Sequence, residues 1–234
     1  MSFANRTVIV TGAAGNLGRA VAGAFANLGA NLVLVDLKRE SLEKAFGAEN
    51  ERRTFAPANL LEMAGATGIA QAALARFGRI DALCNIAGGF RMGERVHETS
   101  DENWNFLFDI NSRTLLHAVR AVVPHMLTAG GGKIVNVGAF AAQKGAAGMG
   151  AYTASKATVI RMTEAMAAEL RDKNINVNCV LPTIIDTPEN RGAMPKADPA
   201  KWVAAADLAS VIVFLASDAA RAVHGAAVPV TGLS

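Results

Sequence analysis

The sequence is short of charge and of long apolar runs, and each shortage excludes a class of protein. Charged residues make up only 18% of the 234 residues and no segment is of low complexity, so we expect a folded chain. No basic segment leads into an apolar signal core, and no uninterrupted apolar segment is long enough to span a bilayer. We therefore expect a cytoplasmic protein that has no membrane partner.

The ionisable residues give no sign of a nucleic-acid or metal site. The net charge of +3 comes from scattered residues, and no run of Lys and Arg forms a track for nucleic acid. The four histidines lack the spacing of metal ligands, so we assign no metal. Cys84 and Cys179 lie in apolar, strand-like segments, where inert buried thiols are more common than a disulfide or a nucleophile.

Hydrophobic residues make up 51% of the chain, and strand and helix patterns alternate along it. The predicted strands are 7–11, 31–35, 53–56, 80–86, 133–137, 175–181 and 227–230. The predicted helices are 19–28, 41–46, 61–77, 101–129, 152–171 and 205–216; the fourth starts behind a capping-box pattern at 99–102 and contains Pro124. This alternation predicts an α/β fold: a single-domain, Rossmann-type, doubly wound parallel sheet of about seven strands with helices on both faces, over residues 1–234.

A glycine-rich turn directly follows the first predicted strand. Gly12, Gly15 and Gly18 lead into a helix, and glycines there let the backbone approach a pyrophosphate at the helix N-terminus. The next strand ends at Asp36, whose carboxylate is placed to accept a hydrogen bond from a ribose 2′-hydroxyl. The pattern predicts a dinucleotide, with NAD(H) preferred and NADP(H) possible because two basic residues follow closely. The alternative is that the glycines only make tight turns.

Tyr152 and Lys156 lie four residues apart on the helix that follows the fifth strand, so their side chains share a face. An ammonium near a phenol favours the phenolate and lowers the tyrosine pKa, which makes the phenol a usable general acid or base. The spacing alone is weak evidence, because surface pairs share it. Its position directly after a buried strand strengthens it.

With these features the chain resembles the short-chain dehydrogenase/reductase family over almost its whole length. The matching motifs are the glycine turn, Asn85-Ile-Ala-Gly88, Asn111, Tyr152-x-x-x-Lys156, and Pro182 with Thr187. The resemblance implies an oxidoreductase that transfers a hydride between NAD(P)(H) and a small-molecule substrate. Tyr152 would be the acid/base, Lys156 would bind the nicotinamide ribose, and Asn111 would anchor a proton-relay water. The residues implied to bind the cofactor are Gly12, Gly15, Asn16, Leu17, Gly18, Asp36, Asn59, Leu60, Asn85, Ala87, Gly88, Tyr152, Lys156, Pro182, Ile184 and Thr187.

Two departures from the family pattern stand out. The common short form spaces its glycines TGxxxGxG, whereas this chain has G-x-x-G-x-x-G. The family serine that hydrogen-bonds the substrate oxygen should fall at position 139, where this chain has Ala139 between Gly138 and Phe140. Losing such a donor typically costs about 3–4 kcal/mol of transition-state stabilisation. The protein then reduces ordinary ketones poorly, or only binds nucleotide, or acts on a substrate that does not need the donor.

Within the family the chain is most similar to the dihydropteridine reductases, which share the glycine spacing and also lack the serine. The similarity is densest at Leu181-Pro182, Asp186-Thr187-Pro188, Asn190-Arg191, Met194-Pro195, Ala197-Asp198 and Trp202. It implies reduction of a planar conjugated acceptor, although residues 208–234 read like bacterial members of the wider family. The alternatives are an ordinary carbonyl reductase or alcohol dehydrogenase without the serine, or a catalytically weak nucleotide-binding protein.

The residues expected to contact substrate are Ala139, Phe90, Asn190 and Trp202, although aromatic residues such as Phe90 and Trp202 are more often packing residues than substrate platforms. The loop 182–199 contains four prolines, each of which fixes φ, so it is either a preformed flap over the cofactor or a solvated loop. The two long helices carry many alanines, among them Ala165, Ala167 and Ala168. Together with the resemblance, they predict a homodimer or homotetramer.

Overall fold

The computed structural model describes all 234 residues and arranges them around one seven-stranded parallel sheet. The strands are β1 (Thr7–Thr11), β2 (Asn31–Val35), β3 (Arg53–Phe55), β4 (Ala82–Asn85), β5 (Gly132–Val137), β6 (Ile175–Pro182) and β7 (Ala227–Val230). Their order in space is β3-β2-β1-β4-β5-β6-β7. The prediction of a doubly wound, Rossmann-type parallel sheet is confirmed.

Eight α-helices surround the sheet. They are α1 (Asn16–Asn27), α2 (Arg39–Phe46), α3 (Met63–Phe77), α4 (Asp101–Phe108), α5 (Thr114–Ala129), α6 (Gly150–Leu170), α7 (Pro188–Ala193) and α8 (Ala205–Leu215). On one face Val8 and Val10 pack with apolar residues of α1 and α8, while on the other Ile9 and Val33 pack with α3, α5 and α6. None of the helices combines the length and the apolar character that crossing a lipid bilayer requires.

The strand order switches direction at β1, which lies between β2 and β4. Val10 of β1 is paired with Leu34 on one side and with Cys84 on the other. The connections that leave β1 and β4 therefore diverge, and a crevice opens at the carboxyl edge of the sheet, where ligands of such folds bind. The glycine turn, the residues after β4 and the residues after β5 all lie at this edge.

The predicted helix over 101–129 is interrupted in its middle. A π-helical segment, Asp109–Arg113, joins α4 to α5 and contains the buried Asn111. Such segments occur frequently at functional sites. Pro124 lies within α5 without ending it. The capping-box prediction was misplaced by one residue, because Ser100 is the N-cap and its Oγ accepts a hydrogen bond from the Asn103 N–H at 3.2 Å.

Residues 183–198, which we call the flap, contain the short helix α7 that the sequence did not predict. Thr187 caps this helix by accepting a hydrogen bond from the Asn190 N–H at 3.2 Å. The Arg191 guanidinium donates two hydrogen bonds to Asp186, at 2.6 and 2.8 Å. Asp186 and Arg191 are therefore paired with each other, although much of the flap is exposed, and its role as a preformed flap over the cofactor stays a prediction.

Candidate active site

The glycine turn leaves no room for side chains at two of its positions. Gly12 has φ +60, and a Cβ there would lie 2.8 Å from the Ala87 Cα. A Cβ on Gly18 would lie 2.1 Å from the Gly12 carbonyl oxygen. Thr11 holds the same junction, because its Oγ1 accepts hydrogen bonds from the Ile86 and Ala87 N–H groups at 3.0 and 3.1 Å. The turn after β1 is thus packed directly against the turn after β4.

The N-terminus of α1 has the properties of an anion site. Gly15 is the N-cap and provides no side-chain oxygen to the first N–H groups of the helix. These groups and the positive end of the helix dipole favour a phosphate. The side chain of Leu17 is buried, whereas Asn16 points its amide toward the flap. A cradle that only glycine fits, in front of a helix with unpaired N–H groups, matches the diphosphate of a dinucleotide.

Asp36 lies directly after β2 and beside the glycine turn. One carboxylate oxygen accepts a hydrogen bond from the Ala14 N–H at 3.0 Å, and the other accepts one from the Leu37 N–H at 2.8 Å. A carboxylate has about four lone-pair sites, so both oxygens keep capacity for ribose hydroxyls. Asn59 binds within its own turn, accepting from the Leu61 N–H and donating to Glu62, and Leu60 is buried.

Lys156 is buried at the centre of the site. Its ammonium donates a hydrogen bond to the Val137 carbonyl at the end of β5, at 2.8 Å, and burial lowers its pKa to about 8. A Cβ on Gly88 would lie 3.1 Å from the Lys156 Nζ and 3.0 Å from the Asn111 Oδ1. The structure therefore brings together Lys156, Asn111 and Gly88, which are far apart in the sequence.

Tyr152 lies one helical turn before Lys156 and is half-buried. Its ring meets that of Phe90 edge to face, with centroids 4.7 Å apart. Burial raises the pKa of Tyr152 to about 12. The expectation that the neighbouring ammonium lowers this pKa is wrong in this structure, because Lys156 donates to Val137 and desolvation of the phenol dominates.

The side chain of Asn111 is almost fully used inside the protein. Its Nδ2 donates to the Gly89 carbonyl and to the Ser155 Oγ, both at 3.1 Å, and its Oδ1 accepts from the Gly89 N–H at 3.0 Å. These bonds tie the turn after β4 to α6. A relay water would bind Asn111 through its backbone carbonyl or through the second lone pair of its Oδ1. The role of Asn111 in anchoring such a water stays a prediction.

Position 139 offers no hydroxyl to a substrate. Ala139 is buried in extended conformation at the end of β5, where it contacts a small apolar cluster with Ile160, Cys179 and Leu181. Its neighbours are Gly138 and Phe140. Tyr152 is thus without the second donor that the family places beside it.

The structure places each of the residues predicted on and near the flap. Pro182 ends β6, and the Ile184 carbonyl accepts a hydrogen bond from the Val203 N–H at 2.9 Å. Asn190 donates to the Ile185 carbonyl at 2.8 Å, and Trp202 is only 7% exposed. Trp202 is thus a packing residue in this structure, and a contact between Asn190 and substrate stays a prediction. Phe90, by contrast, is 54% exposed beside Tyr152.

A buried row of polar residues below the site was not predicted. Asn85 donates to the Asn136 Oδ1 and Asn136 donates to the Thr163 Oγ1, both at 2.8 Å. The row joins β4 and β5 to α6, two turns beyond Lys156. The Asn85 Oδ1 is buried without a partner. Asparagine inside an otherwise apolar strand was the sequence signal for this row. Cys84 and Cys179 are buried free thiols, as predicted, and burial raises the pKa of both.

Comparison with known proteins identifies the fold family. The family description "short chain dehydrogenase" matches residues 6–198. The chain belongs to the short-chain dehydrogenase family. It is 35% identical over 240 residues to D-threitol dehydrogenase of Mycolicibacterium smegmatis, covering 97% of this chain and 92% of that protein. It is 30% identical over 244 residues to the 3-oxoacyl-[acyl-carrier-protein] reductase FabG of Thermotoga maritima, covering 99% and 98%.

A solved structure, carveol dehydrogenase of Mycobacterium avium in complex with NAD, matches with a TM-score of 0.88 and 27% identity, covering 98% of this chain and 97% of that one. As a short-chain dehydrogenase, this protein is an oxidoreductase with an NAD(P)-binding fold. None of these relatives is named as a dihydropteridine reductase. The specific similarity to that group therefore stays a prediction.

Proposed function

We propose that this short-chain dehydrogenase uses NADH to reduce a planar conjugated acceptor, with Tyr152 as the proton donor. The observation that carries the proposal is the combination of Tyr152 and Lys156 at the crevice with a buried alanine at position 139. The catalytic pair is complete while the second donor to a substrate oxygen is missing. A substrate whose reduction concentrates little charge on one atom fits this combination.

The cofactor would be held by residues that already form its cradle. Gly12, Gly15 and Gly18 would receive the diphosphate, Asp36 the adenosine ribose, and Lys156 the nicotinamide ribose. Asp36 favours NADH because its carboxylate accepts from a 2′-hydroxyl and repels a 2′-phosphate. Of the two basic residues nearby, Arg39 is engaged with Glu43 and Glu49 at 3.3 and 3.5 Å, so only Lys38 is free to soften this preference.

The protonation states favour reduction. The bound dinucleotide would supply or accept the hydride. With a pKa of about 12, Tyr152 is protonated at neutral pH and can give its proton to a reduced substrate. Lys156, with a pKa of about 8, is mostly a cation there, and its ammonium would bind the nicotinamide ribose. Asn111 holds the turn after β4 against α6 and so fixes the space between them.

The surroundings of Tyr152 suit an aromatic substrate. Four apolar side chains near the crevice are exposed rather than packed: Phe90, Met92, Val96 and Phe140. The ring of Phe90 stands edge to face against Tyr152, with centroids 4.7 Å apart. Exposed aromatic and apolar side chains bind flat rings well. A quinonoid dihydropterin is the acceptor that best combines this shape with delocalised charge.

A second candidate function is favoured by the relatives. D-threitol dehydrogenase and 3-oxoacyl-[acyl-carrier-protein] reductase are named for substrates that carry hydroxyl or keto groups. An ordinary carbonyl reductase or alcohol dehydrogenase therefore remains the main competitor. It would have to stabilise the developing oxyanion with Tyr152 alone.

The test is NADH oxidation with a panel of acceptors: a quinonoid dihydropterin, a quinone of similar size, a simple ketone and a 3-oxoacyl thioester. We expect the two planar acceptors to react with the higher kcat/KM. Efficient turnover of the ketone or thioester with no pterin activity would establish the competitor instead. NADH binding without turnover of any acceptor would leave a nucleotide-binding protein.

We also propose that the protein assembles at least into a homodimer through α4, α5 and α6. Trp104 and Phe108 stack with centroids 4.4 Å apart, and Trp104, Leu116 and Leu127 remain 45%, 40% and 43% exposed. Ala165 and Ala168 are exposed on α6, whereas Ala167, expected at the interface, is buried inside the subunit. Light scattering that reports a monomer at micromolar concentration would contradict the proposal.

A further inference from the structure

One hydrogen bond joins the glycine turn directly to the flap. The Asn16 Nδ2 donates to the Glu189 Oε2 at 2.7 Å, between residues 173 positions apart in the chain. Arg19 supports the same amide by donating to the Asn16 Oδ1 at 2.6 Å. We call the bond between Asn16 and Glu189 the latch. It connects the first residue of α1 to the second residue of α7.

The latch depends on a residue in which this chain departs from the common glycine pattern. In the spacing TGxxxGxG, counted from Thr11 and Gly12, the second glycine falls at position 16, which is asparagine here. A glycine at that position has no side chain to reach the flap. The bond is therefore a property of this sequence and not of the turn in general.

Several hydrogen bonds within the flap support its conformation. Thr187 caps α7, Arg191 binds Asp186 through two hydrogen bonds, and Asn190 donates to the Ile185 carbonyl. A backbone bridge between Ile185 and Val203 anchors the base of the flap. Glu189 lies in the first turn of α7, so we expect a restraint at Glu189 to act on this helix.

The latch lies beside the predicted binding site for the cofactor diphosphate. Asn16 directly follows Gly15 at the N-terminus of α1, where the unpaired N–H groups favour a diphosphate. The flap approaches the same point from β6, on the far side of the crevice from β1. The latch therefore joins the flap to the glycine turn beside the predicted diphosphate site.

We propose that Glu189, through Asn16, is a cofactor-retention residue: the latch holds the flap against the glycine turn and slows the release of the dinucleotide. The inference rests on the proposed function only in that the protein must bind NAD(H). Glu189 positions the flap and takes no part in the chemistry.

The opposite electrostatic effect has to be separated from the latch. A carboxylate near a diphosphate repels it, so Glu189 would weaken binding if its charge mattered more than its hydrogen bond. Glu189→Gln removes the charge and keeps an oxygen that can accept from Asn16, whereas Glu189→Ala removes both. Retention by the latch predicts faster release from the alanine variant and a smaller change in the glutamine variant. Repulsion predicts slower release from both.

The main experiment measures the NADH dissociation rate by stopped-flow displacement, followed through NADH fluorescence. We expect Glu189→Ala and Asn16→Gly each to release NADH about 3- to 10-fold faster, the range that one partly exposed hydrogen bond supports. The double variant should be no faster than either single variant, because both remove the same bond. Glu51→Gln, an exposed carboxylate remote from the crevice, is the control and should leave the rate unchanged.

A second measurement needs no cofactor. The Arg191 and Met194 N–H groups of α7 donate to the Thr187 and Asn190 carbonyls, both at 2.9 Å. Their hydrogen exchange should quicken in Glu189→Ala and in Asn16→Gly, and should not change in Glu51→Gln. Unchanged exchange and additive dissociation rates would overturn the latch, while NADH binding by the same variants would leave the cofactor assignment of the proposed function standing. If the unaltered protein bound no dinucleotide, the proposed function would fail, and the exchange data would still decide whether the contact restrains the flap.

Discussion

The two sides of the crevice are built by different means. On the side of β1 and β2, backbone lies against backbone, and added Cβ atoms at Gly12 and Gly18 would come within 2.8 and 2.1 Å of neighbouring atoms. On the side of β5 and α6, side chains decide the shape and chemistry of the crevice. Position 139 is an alanine and provides no hydroxyl, and Phe90 is 54% exposed and contacts Tyr152. On the first side the backbone leaves no room for other residues at Gly12 and Gly18. On the second side a single substitution changes the groups that surround Tyr152.

The difference explains how one fold serves many substrates. Backbone sterics require glycine at Gly12 and Gly18, and these are the two positions that this chain shares with the common glycine spacing of the family. The substrate side needs only a proton donor at a fixed place. The residues around that donor are free to match the substrate. Variants on the two sides should therefore fail in different ways.

The largest expected effect is on the substrate side. Tyr152→Phe keeps the ring against Phe90 but removes the proton donor, so we expect kcat to fall by about 10²- to 10⁴-fold. The NADH dissociation constant should stay within about twofold, since the phenol hydroxyl contributes little to binding. Fluorescence titration and initial rates on the same preparation measure both quantities. Lys156→Ala should instead damage turnover and binding together; if Tyr152→Phe retains most of its activity, the proton comes from another group.

The next effect is the shift in the pKa of Tyr152. The chain contains one tyrosine, so the near-ultraviolet absorbance of tyrosinate reports this residue alone. We expect a midpoint near pH 12 for the folded protein, and near 10 in denaturant. The folded state favours the neutral phenol, so this contribution to stability is present below pH 10 and is lost as pH rises toward 12. A folded midpoint below 10 would restore the expectation that Lys156 lowers the pKa.

On the cofactor side, Gly18→Ala places a Cβ 2.1 Å from the Gly12 carbonyl, and the turn must move to admit it. We expect NADH affinity to fall about tenfold or more and unfolding free energy to fall by about 1–3 kcal/mol, as for other overpacked sites. Gly23→Ala is a matched control in the same helix, since nothing lies within 4 Å of the added Cβ. That variant should gain about 0.5–1 kcal/mol of stability through helix propensity and bind NADH normally. Similar behaviour of the two variants would show that the turn yields easily.

A smaller effect concerns cofactor choice. Asp36→Asn removes the charge that repels a 2′-phosphate, and we expect the preference for NADH over NADPH to shrink by about tenfold, equivalent to about 1.4 kcal/mol. Dissociation constants for both dinucleotides, measured for both proteins, give the ratio. Glu40→Gln, an exposed carboxylate on α2, controls for the general loss of negative charge. Equal or tighter binding of NADPH by the unaltered protein would contradict the assignment of Asp36.

Specific predictions could be made for the cofactor side because its backbone constraints require particular residue types at particular positions. The glycine turn, Asp36 and the period of β1 each have a local signal, and the structure places the glycine turn and Asp36 at the carboxyl edge of the sheet. Features that depend on contacts between distant segments left weaker traces. The partners of Asn111 and the raised pKa of Tyr152 follow from burial, which spacing along a helix does not report. Asn16 was assigned to the cofactor for its position in the turn, and its bond to Glu189 arises only because the fold brings α7 against α1.

The smallest expected effect is that of a serine at position 139, on the substrate side of the crevice. Reduction of a ketone gathers negative charge on one oxygen, and a hydroxyl beside Tyr152 would help to stabilise it. Reduction of a quinonoid dihydropterin spreads charge over a conjugated ring, so the same hydroxyl contributes little there. Ala139 is buried against Ile160 and Leu181, and a serine must also fit its Oγ into this apolar contact. We therefore expect Ala139→Ser to raise kcat/KM for a simple ketone by only about 3- to 10-fold, below the full value of a preorganised donor. The pterin rate should stay level or fall, which narrows the gap between the two substrates. Ala142→Ser, in the same apolar cluster, controls for the cost of burying a hydroxyl. A pterin rate that rises as much as the ketone rate would show that charge does gather on one atom of the ring, and the reason given for the missing serine would be wrong.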